Sequence, residues 1–284
     1  MYTDRMNSLL DYIESHLDST ISYEEMAKSM AMSVYELRRI FAFIIGTPIS
    51  DYIRKRRISE SVFDLRKGET VTSVAAKYGY DSPSSFSRAF RDMQGIAPSE
   101  AKNDNAKLIL YPKARLDFSV SGADDIRFVL EKRPTMKLVG MSGISDASSP
   151  DCGEDVWNRY YDLGYHDRLL DLGLFSHENA EFAAYKSNGD KVECFIGALI
   201  DPSVPVPDGM DELILQPALF GVFEETGTLD DQISRAYYRI VSEWLEASPY
   251  ERAPDIRNLE AFPIAERKES SDMKWKIYYP LKEK

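Results

Sequence analysis

A motif in the N-terminal part of the chain returns after 48 or 49 positions, and it restricts the fold more than any other feature of the sequence. Ala27 and Ala75 stand 48 apart, while Leu37 and Phe86, Arg39 and Arg88, Phe41 and Phe90, and Gly46 and Gly95 stand 49 apart. The second copy therefore carries one extra residue in its turn. Each copy reads as a helix with a small residue, a short turn, and a second helix whose apolar face (Leu37, Ile40, Phe41; Phe86, Ala89, Phe90) leaves an arginine off that face. Helical periodicity predicts helices over 6–17, 23–30, 34–44, 49–65, 71–78 and 84–94. Ser22 with Glu25 forms a capping-box signal, Ser33 is placed to cap the next helix, and Pro48 fits the first turn of the long one. Closely spaced helices of this kind imply two helix-turn-helix units in one all-α domain.

Charge separates the rest of the chain from this domain. Residues 1–102 hold 14 basic and 14 acidic side chains, and residues 103–284 hold 21 against 33, so the whole net charge of -12 lies in the second part. The two parts are thus suited to different partners. With 284 residues, 43% of them hydrophobic and 29% charged, the chain is long enough for two globular cores and is not of disordered composition. It has no apolar run near the roughly 18 residues of a membrane helix and no basic-then-apolar leader, so a cytoplasmic protein is expected. Cys152 and Cys194 make no disulfide framework, and His16, His166 and His177 show no metal-ligand spacing. GxSxG, HExxH and a Gly-rich phosphate loop are all missing, so neither a cofactor nor a metal nor catalysis is expected.

Residues 74–82 (VAAKYGYDS), 85–91 (SFSRAFR) and 95–98 (GIAP) carry a specific resemblance to the AraC/XylS family of bacterial transcription regulators. The first repeat matches it through Glu25-Met26-Ala27, residues 33–41, Gly46 and Tyr52-Ile53-Arg54. The resemblance implies a domain over 1–102 whose two recognition helices enter successive major grooves of double-stranded DNA, with RNA polymerase a further candidate partner and a monomer or a homodimer both compatible with two reading heads. By position, Tyr35, Arg38 and Arg39, and Ser84, Ser85, Ser87 and Arg88, then project toward base edges or adjoining phosphates, an arginine being suited to a bidentate contact with guanine. The alternative for Arg39 and Arg88 is a plain solvated arginine on an amphipathic helix. From the run 54–57, Arg54 and Arg56 are candidates for phosphate. Two departures stand out. Ala31 occupies the turn position where the family has glycine, and residues 42–45 (AFII) replace the usual lysines, which predicts modest affinity and an apolar contact near Phe43.

Residues 103–125 read as a linker with an apolar piece, Leu108 to Tyr111, packed on a neighbour. Beyond it the period changes. Strand, helix, strand, strand are expected over 126–132, 153–172, 181–186 and 192–201, and the order recurs over 213–225, 229–247, 258–264 and 273–279. Thr228 with Asp231 signals the second helix start, and Ile233, Ala236, Tyr237, Ile240, Val241, Trp244 and Leu245 make its apolar stripe. An α+β domain of two strand-helix-strand-strand repeats over 126–284 follows. Its helices are expected on one sheet face, and a ligand groove on the other.

This order, with residues 219–227 (LFGVFEETG), 258–263 (NLEAFP) and 277–282 (IYYPLK), resembles the GyrI-like effector-binding domain. The resemblance implies a small amphipathic cation as effector, held by a glutamate among aromatics, and places Glu260 and Tyr278 in those roles. Alternation sets Glu260 opposite Leu259 and Ala261, which are expected on the core side, so that Glu260 faces the groove. Phe223 and Tyr185 are further strand aromatics for the pocket, whereas Trp157, Tyr160, Tyr237 and Trp244 are assigned to the core. The alternative for Glu260 is a rim position paired with Lys274 or Lys276. The chain is thus expected to be an effector-responsive DNA-binding regulator; a hydrolase or a protein-interaction module built on the second domain are the competing readings.

Overall fold

The computed structural model describes residues 2–103, 106–116, 125–149, 152–227, 229–264 and 273–284, with the backbone alone for 229–231. Thr228, half of the expected helix-start signal, and the polar linker stretch 119–124 lie outside the described residues, as does the Asp231 side chain. Contacts divide the chain into two units that do not follow the expected division at residue 102: Met1–Ser22 with Thr47–Ser119, and Tyr23–Gly46 with Val120–Lys284. Charge counts follow chain order, whereas packing need not.

The first unit holds α1 (Tyr2–Ser15), α4 (Ile49–Arg66), α5 (Val71–Lys77) and α6 (Pro83–Gln94). In chain order α2 (Tyr23–Ser29) and α3 (Val34–Ile45) follow α1, but they belong to the second unit. Apolar faces of the first unit supply its core: Met6, Leu9, Leu10 and Ile13 of α1, Tyr52, Ile58, Val62 and Leu65 of α4, Val74 and Ala75 of α5, and Phe86 and Phe90 of α6 are all buried. The linker's apolar piece is tied to this unit by hydrogen bonds to side chains of α4 and α6. Gln94 both donates to and accepts from the Ile109 backbone (2.7 and 2.8 Å), the Tyr111 amide donates to Ser59 (2.8 Å), and the Ala114 amide donates to the Tyr52 hydroxyl (3.0 Å).

Among the described residues of the second unit, nine strands form one antiparallel sheet. They are β1 (Val129–Arg133), β2 (Met136–Asp146), β3 (Ala180–Asn188), β4 (Lys191–Ile200), β5 (Asp211–Leu215), β6 (Ala218–Thr226), β7 (Tyr250–Arg252), β8 (Asn258–Pro263) and β9 (Lys274–Glu283). Their order is β1-β6-β9-β8-β3-β4-β2-β5, with β7 on β9. The repeats are β2, α7 (Glu154–Asp162), α8 (Tyr165–Asp171), β3, β4 and then β6, α9 (Leu229–Arg239), β8, β9. They meet at the β3–β8 pair, and each half lends its preceding strand to the other, β1 to β6 and β5 to β2.

The first repeat therefore opens on β2, a strand missing from the sequence reading, and not on the strand expected at 126–132. The helix expected over 153–172 is interrupted at Gly164, whose φ of 73° is a left-handed conformation that ends α7 and starts α8. The strand expected over 213–225 is two strands, parted at Gln216-Pro217, because proline has no amide to give to a ladder. Beyond α9 the helix runs on through a π turn, Ile240–Trp244, to Ala247.

Candidate functional site

Two sets of side chains stand out, one in each unit. In the first, α6 is fixed at its start by Ser82, whose hydroxyl accepts from the Ser85 amide (3.1 Å), and Pro83 takes the first helical position. Phe86 and Phe90 anchor the buried face, which leaves Ser84, Ser85 and Arg88 exposed. With Arg54 of α4, Ser82, Ala89 and Asp92 they line an open hollow of about 470 Å³. Two of the expected DNA contacts have local duties here. Ser85 Oγ donates to the Ser82 carbonyl (2.8 Å) and Ser87 Oγ to the Pro83 carbonyl (2.7 Å).

Arg56 requires a correction. It is buried, donates to both carboxylate oxygens of Glu14 (2.7 to 3.1 Å), to Glu60 (2.7 Å) and to the Tyr111 carbonyl (2.6 Å), and so is not presented to phosphate. Its place on the core-facing side of α4, two residues from exposed Arg54, is the reason.

The second set lies on the helix-bearing face of the sheet. Glu260, 1% exposed, accepts from the hydroxyl of Tyr35 on α3 (2.8 Å) and from that of Tyr237 on α9 (3.1 Å), both on Oε1. The Tyr35 ring stacks on Tyr185 of β3 with centroids 3.9 Å apart and planes at 12°, and meets Tyr237 edge-on at 5.9 Å. Trp157 of α7 donates to the Tyr185 hydroxyl (2.9 Å). Half-buried Arg39, one turn along α3, donates through Nε to the Tyr35 hydroxyl (2.7 Å) and holds its guanidinium carbon 4.9 Å from the Tyr35 ring centre. Burial pushes the Glu260 carboxyl above its ordinary 4.5, against the Arg39 charge and the hydroxyls of Tyr35, Tyr237 and Tyr185. The result is a carboxylate in a tyrosine cage with one cation at its edge.

Further bonds hold α3 there. Its capping residue Ser33 accepts from the Glu36 amide (3.2 Å), and wholly buried Glu36 accepts from Asn258 (3.0 Å) with Arg252 Nε 3.1 Å from its other oxygen. The Val34 amide donates to Ser187 Oγ (2.8 Å), and Arg38 donates to the carbonyls of Ala147 and Ser149. Phe43, in the stretch without lysines, meets the Tyr238 ring at 5.6 Å.

Residues 26–104 match the helix-turn-helix domain family, and residues 129–281, more than half of the chain, match the family of integron-associated effector binding proteins. The activator AarP of Providencia stuartii is 34% identical over 113 residues, which are 38% of this chain and 84% of that protein. The chain belongs to the AraC family of regulators and carries an integron-associated effector binding domain. This AraC-family protein is a DNA-binding transcription regulator and not an enzyme. The transcriptional regulator Rob of Salmonella typhimurium is 34% identical over 95 residues, a third of this chain and a third of Rob. A structure of SAV2435 bound to tetraphenylphosphonium is similar at 14% identity, with a TM-score of 0.41 over 55% of this chain and 94% of that one. Among the described residues no helix of the regulator is long and apolar enough to cross a membrane.

The effector-domain residues sort differently from the sequence expectation. Glu260 does lie opposite Leu259 and Ala261, but on the helix face, because it pairs with Ala183 and Tyr185 pairs with Asn258, and α7 and α9 meet that side. The other face, among the described residues, carries a buried core of Leu138, Phe182, Phe195, Phe220 and Leu259. Tyr278 belongs to that core, with its hydroxyl 3.1 Å from Arg133 and 3.3 Å from Glu178, and is not a cage residue. Phe223 faces the helix side but packs on Trp244 (5.2 Å) and Phe128 (6.2 Å). Lys276 pairs with Ala261 across the strands and so points away from Glu260. Tyr237, expected in the core, lies in the cage. A tyrosine on a buried helix stripe needs a partner for its hydroxyl, and that requirement was the available signal.

Proposed function

We propose that the regulator binds an aromatic or otherwise amphipathic cation in the cage around Glu260, and that Arg88, Ser84 and Arg54 on the open hollow of the first unit, together with Tyr35, Arg38 and Arg39 of α3, contact DNA. The observation that carries the effector reading is the cage itself: a carboxylate 1% exposed, ringed by Tyr35, Tyr185 and Tyr237. A carboxylate so placed favours a ligand that brings positive charge and apolar surface together, whereas an uncharged ligand leaves it unpaired. The DNA reading rests on exposed Arg88 and Arg54 lying beside the serines of one helix start, a surface able to meet base edges and phosphates at once. We place the protein in the cytoplasm, acting at promoters with RNA polymerase as a protein partner. Two reading helices in one chain suffice for a monomer to bind, and a homodimer is the other arrangement the fold allows.

Calorimetric titration with benzyltrimethylammonium and its uncharged isostere neopentylbenzene tests the cage. Glu260→Gln keeps the shape and removes the charge, so cation affinity drops by about 1.5–3 kcal/mol while the isostere binds as well or better. The native protein also loses cation affinity on acidification, and earlier than an ordinary carboxylate would, because the Glu260 carboxyl is raised above 4.5. The stability effect has the opposite sense. A raised carboxyl binds protons more readily in the folded state, so its contribution is greatest below 4.5 and is lost as pH rises through the folded value. Unchanged cation binding by Glu260→Gln overturns the effector assignment.

A further inference from the structure

The tyrosine cage is closed by a helix whose residues have another use. Tyr35 and Arg39 together present an aromatic ring and a delocalised positive charge to Glu260, which is the chemistry inferred for the effector. The docking uses the N-terminal half of α3 from end to end: Val34 on Ser187, Tyr35 on Glu260, Glu36 on Asn258 and Arg252, Arg38 on two carbonyls. In a helix-turn-helix unit that half of the recognition helix contacts base edges. A Tyr35 that is 4% exposed and hydrogen-bonded to Glu260 cannot also touch a base.

We propose that α3 is the resident occupant of the effector cage, with Tyr35 and Arg39 standing in for an aromatic cation, and that an effector frees α3 for DNA by displacing them. The proposal rests on the reading of the cage as the effector site and adds the regulation of that site. It fixes the sign of the coupling. Effector and DNA each require α3 to be out of the cage, so each raises the affinity for the other by the same factor. If α3 is docked most of the time, the apparent DNA affinity of the free protein is lowered by the undocked fraction. An effector must accordingly replace both a stacked ring and a charge, which excludes small cations without aromatic surface, such as ammonium or tetramethylammonium.

A reversible lock tests this without any effector. In the full chain with Cys152→Ser and Cys194→Ala, the pair Val34→Cys and Ser187→Cys joins α3 to β3 at the point where the Val34 amide meets Ser187. The DNA is a duplex selected from a random pool by the reduced protein. Oxidation is expected to lower affinity about tenfold or more and to shrink the protected region from two major grooves to one, and reduction is expected to restore both. The reduced form is the folding control. A second variant pushes the other way: Glu260→Gln removes the charge that faces Arg39, so it raises affinity for the same duplex and speeds amide exchange over 34–45. If the oxidised lock binds and protects like the reduced protein, the docking proposal is overturned, whatever the calorimetry shows. If the lock blocks DNA but benzyltrimethylammonium does not bind, α3 docking stands and the displacement by a cation is overturned.

Discussion

Arg39 and Arg88 occupy matched positions of the two helix-turn-helix units, 49 residues apart, yet Arg88 lies exposed on an open hollow and Arg39 closes a tyrosine cage. Their helices are built alike. Both begin on a capping serine whose hydroxyl accepts from the amide three residues on, and both end on a left-handed glycine, Gly46 at φ 73° and Gly95 at φ 72°. The difference comes from what each recognition face meets. The face of α6 carries serines tied to their own helix, whereas α3 carries Tyr35, Glu36 and Arg38, each of which bonds to a strand or loop of the effector domain, and Arg39, which bonds to Tyr35. A repeat therefore fixes local structure, and long-range partners decide which copy is available.

The largest effect expected bears on the frame that presents α6. Arg56→Ala leaves Glu14 without its bidentate partner and the Tyr111 carbonyl without a donor, so unfolding of the first unit should become easier by about 3 kcal/mol in a denaturant titration. Arg54→Ala, two residues away and exposed, should leave stability unchanged and lower the salt slope of DNA binding by about one unit. Equal stability for the two variants would mean that the Glu14–Arg56 pair is not the anchor its geometry indicates.

A direct comparison of the two arginines comes next. Arg88→Ala should weaken binding to the selected duplex by about 1–3 kcal/mol by fluorescence anisotropy, the range for a base-reading arginine. Arg39→Ala should cost less in the effector-free protein, where Arg39 is already engaged, and the gap should narrow when a cation occupies the cage. Losses of equal size without a cation would show that both helices read DNA in the free protein, and the asymmetry would then have no functional meaning.

Much of the frame is visible in the residues, and the reasons differ by element. All six helices of the first repeat pair and its flanks end within a few residues of their expected limits, because their starts and stops are written locally by Ser33, Ser82, Pro48 and the two glycines. β2 has no strand signature in the residues, because its first six are all buried and show no alternation, and because Gly140 and Gly143 look like breaks. Both glycines are required by packing: a Cβ on Gly140 would lie 2.0 Å from the Ile196 carbonyl oxygen, and one on Gly143 would lie 2.7 Å from the Val156 side chain. For Glu260 the alternation is legible and the face is not, since a strand buried on both sides gives no sign of which side holds the helices. The part played by Tyr35 and Arg39 in the cage has no local signature at all, because it depends on residues more than 200 positions away.

The smallest effect tests how closely the two turns match. Ala31 and Gly79 stand 48 apart, at φ 56° and 74°, and in both turns the next amide bonds back across five residues, Met32 to Ala27 (3.1 Å) and Tyr80 to Ala75 (3.0 Å). Both positions therefore need a left-handed backbone, and only the second has the residue suited to it. In that conformation a Cβ costs about 1–2 kcal/mol, while glycine loses roughly 0.5–1 kcal/mol more chain entropy on folding, so exposed Ala31→Gly should stabilise by about 0.5–1 kcal/mol. Gly79→Ala should destabilise by somewhat more than that gain. Its Cβ would sit 3.3 Å from Arg57 Nη1, and Arg57 is held by the Leu17 and Ser19 carbonyls (both 2.8 Å), so the guanidinium cannot move aside without disturbing those bonds. Thermal unfolding of the two single variants and of the double exchange measures both terms. If Ala31→Gly lowers the melting temperature instead, the turn of the first unit draws on an interaction of the alanine methyl that the second unit lacks, and the two turns are not equivalent.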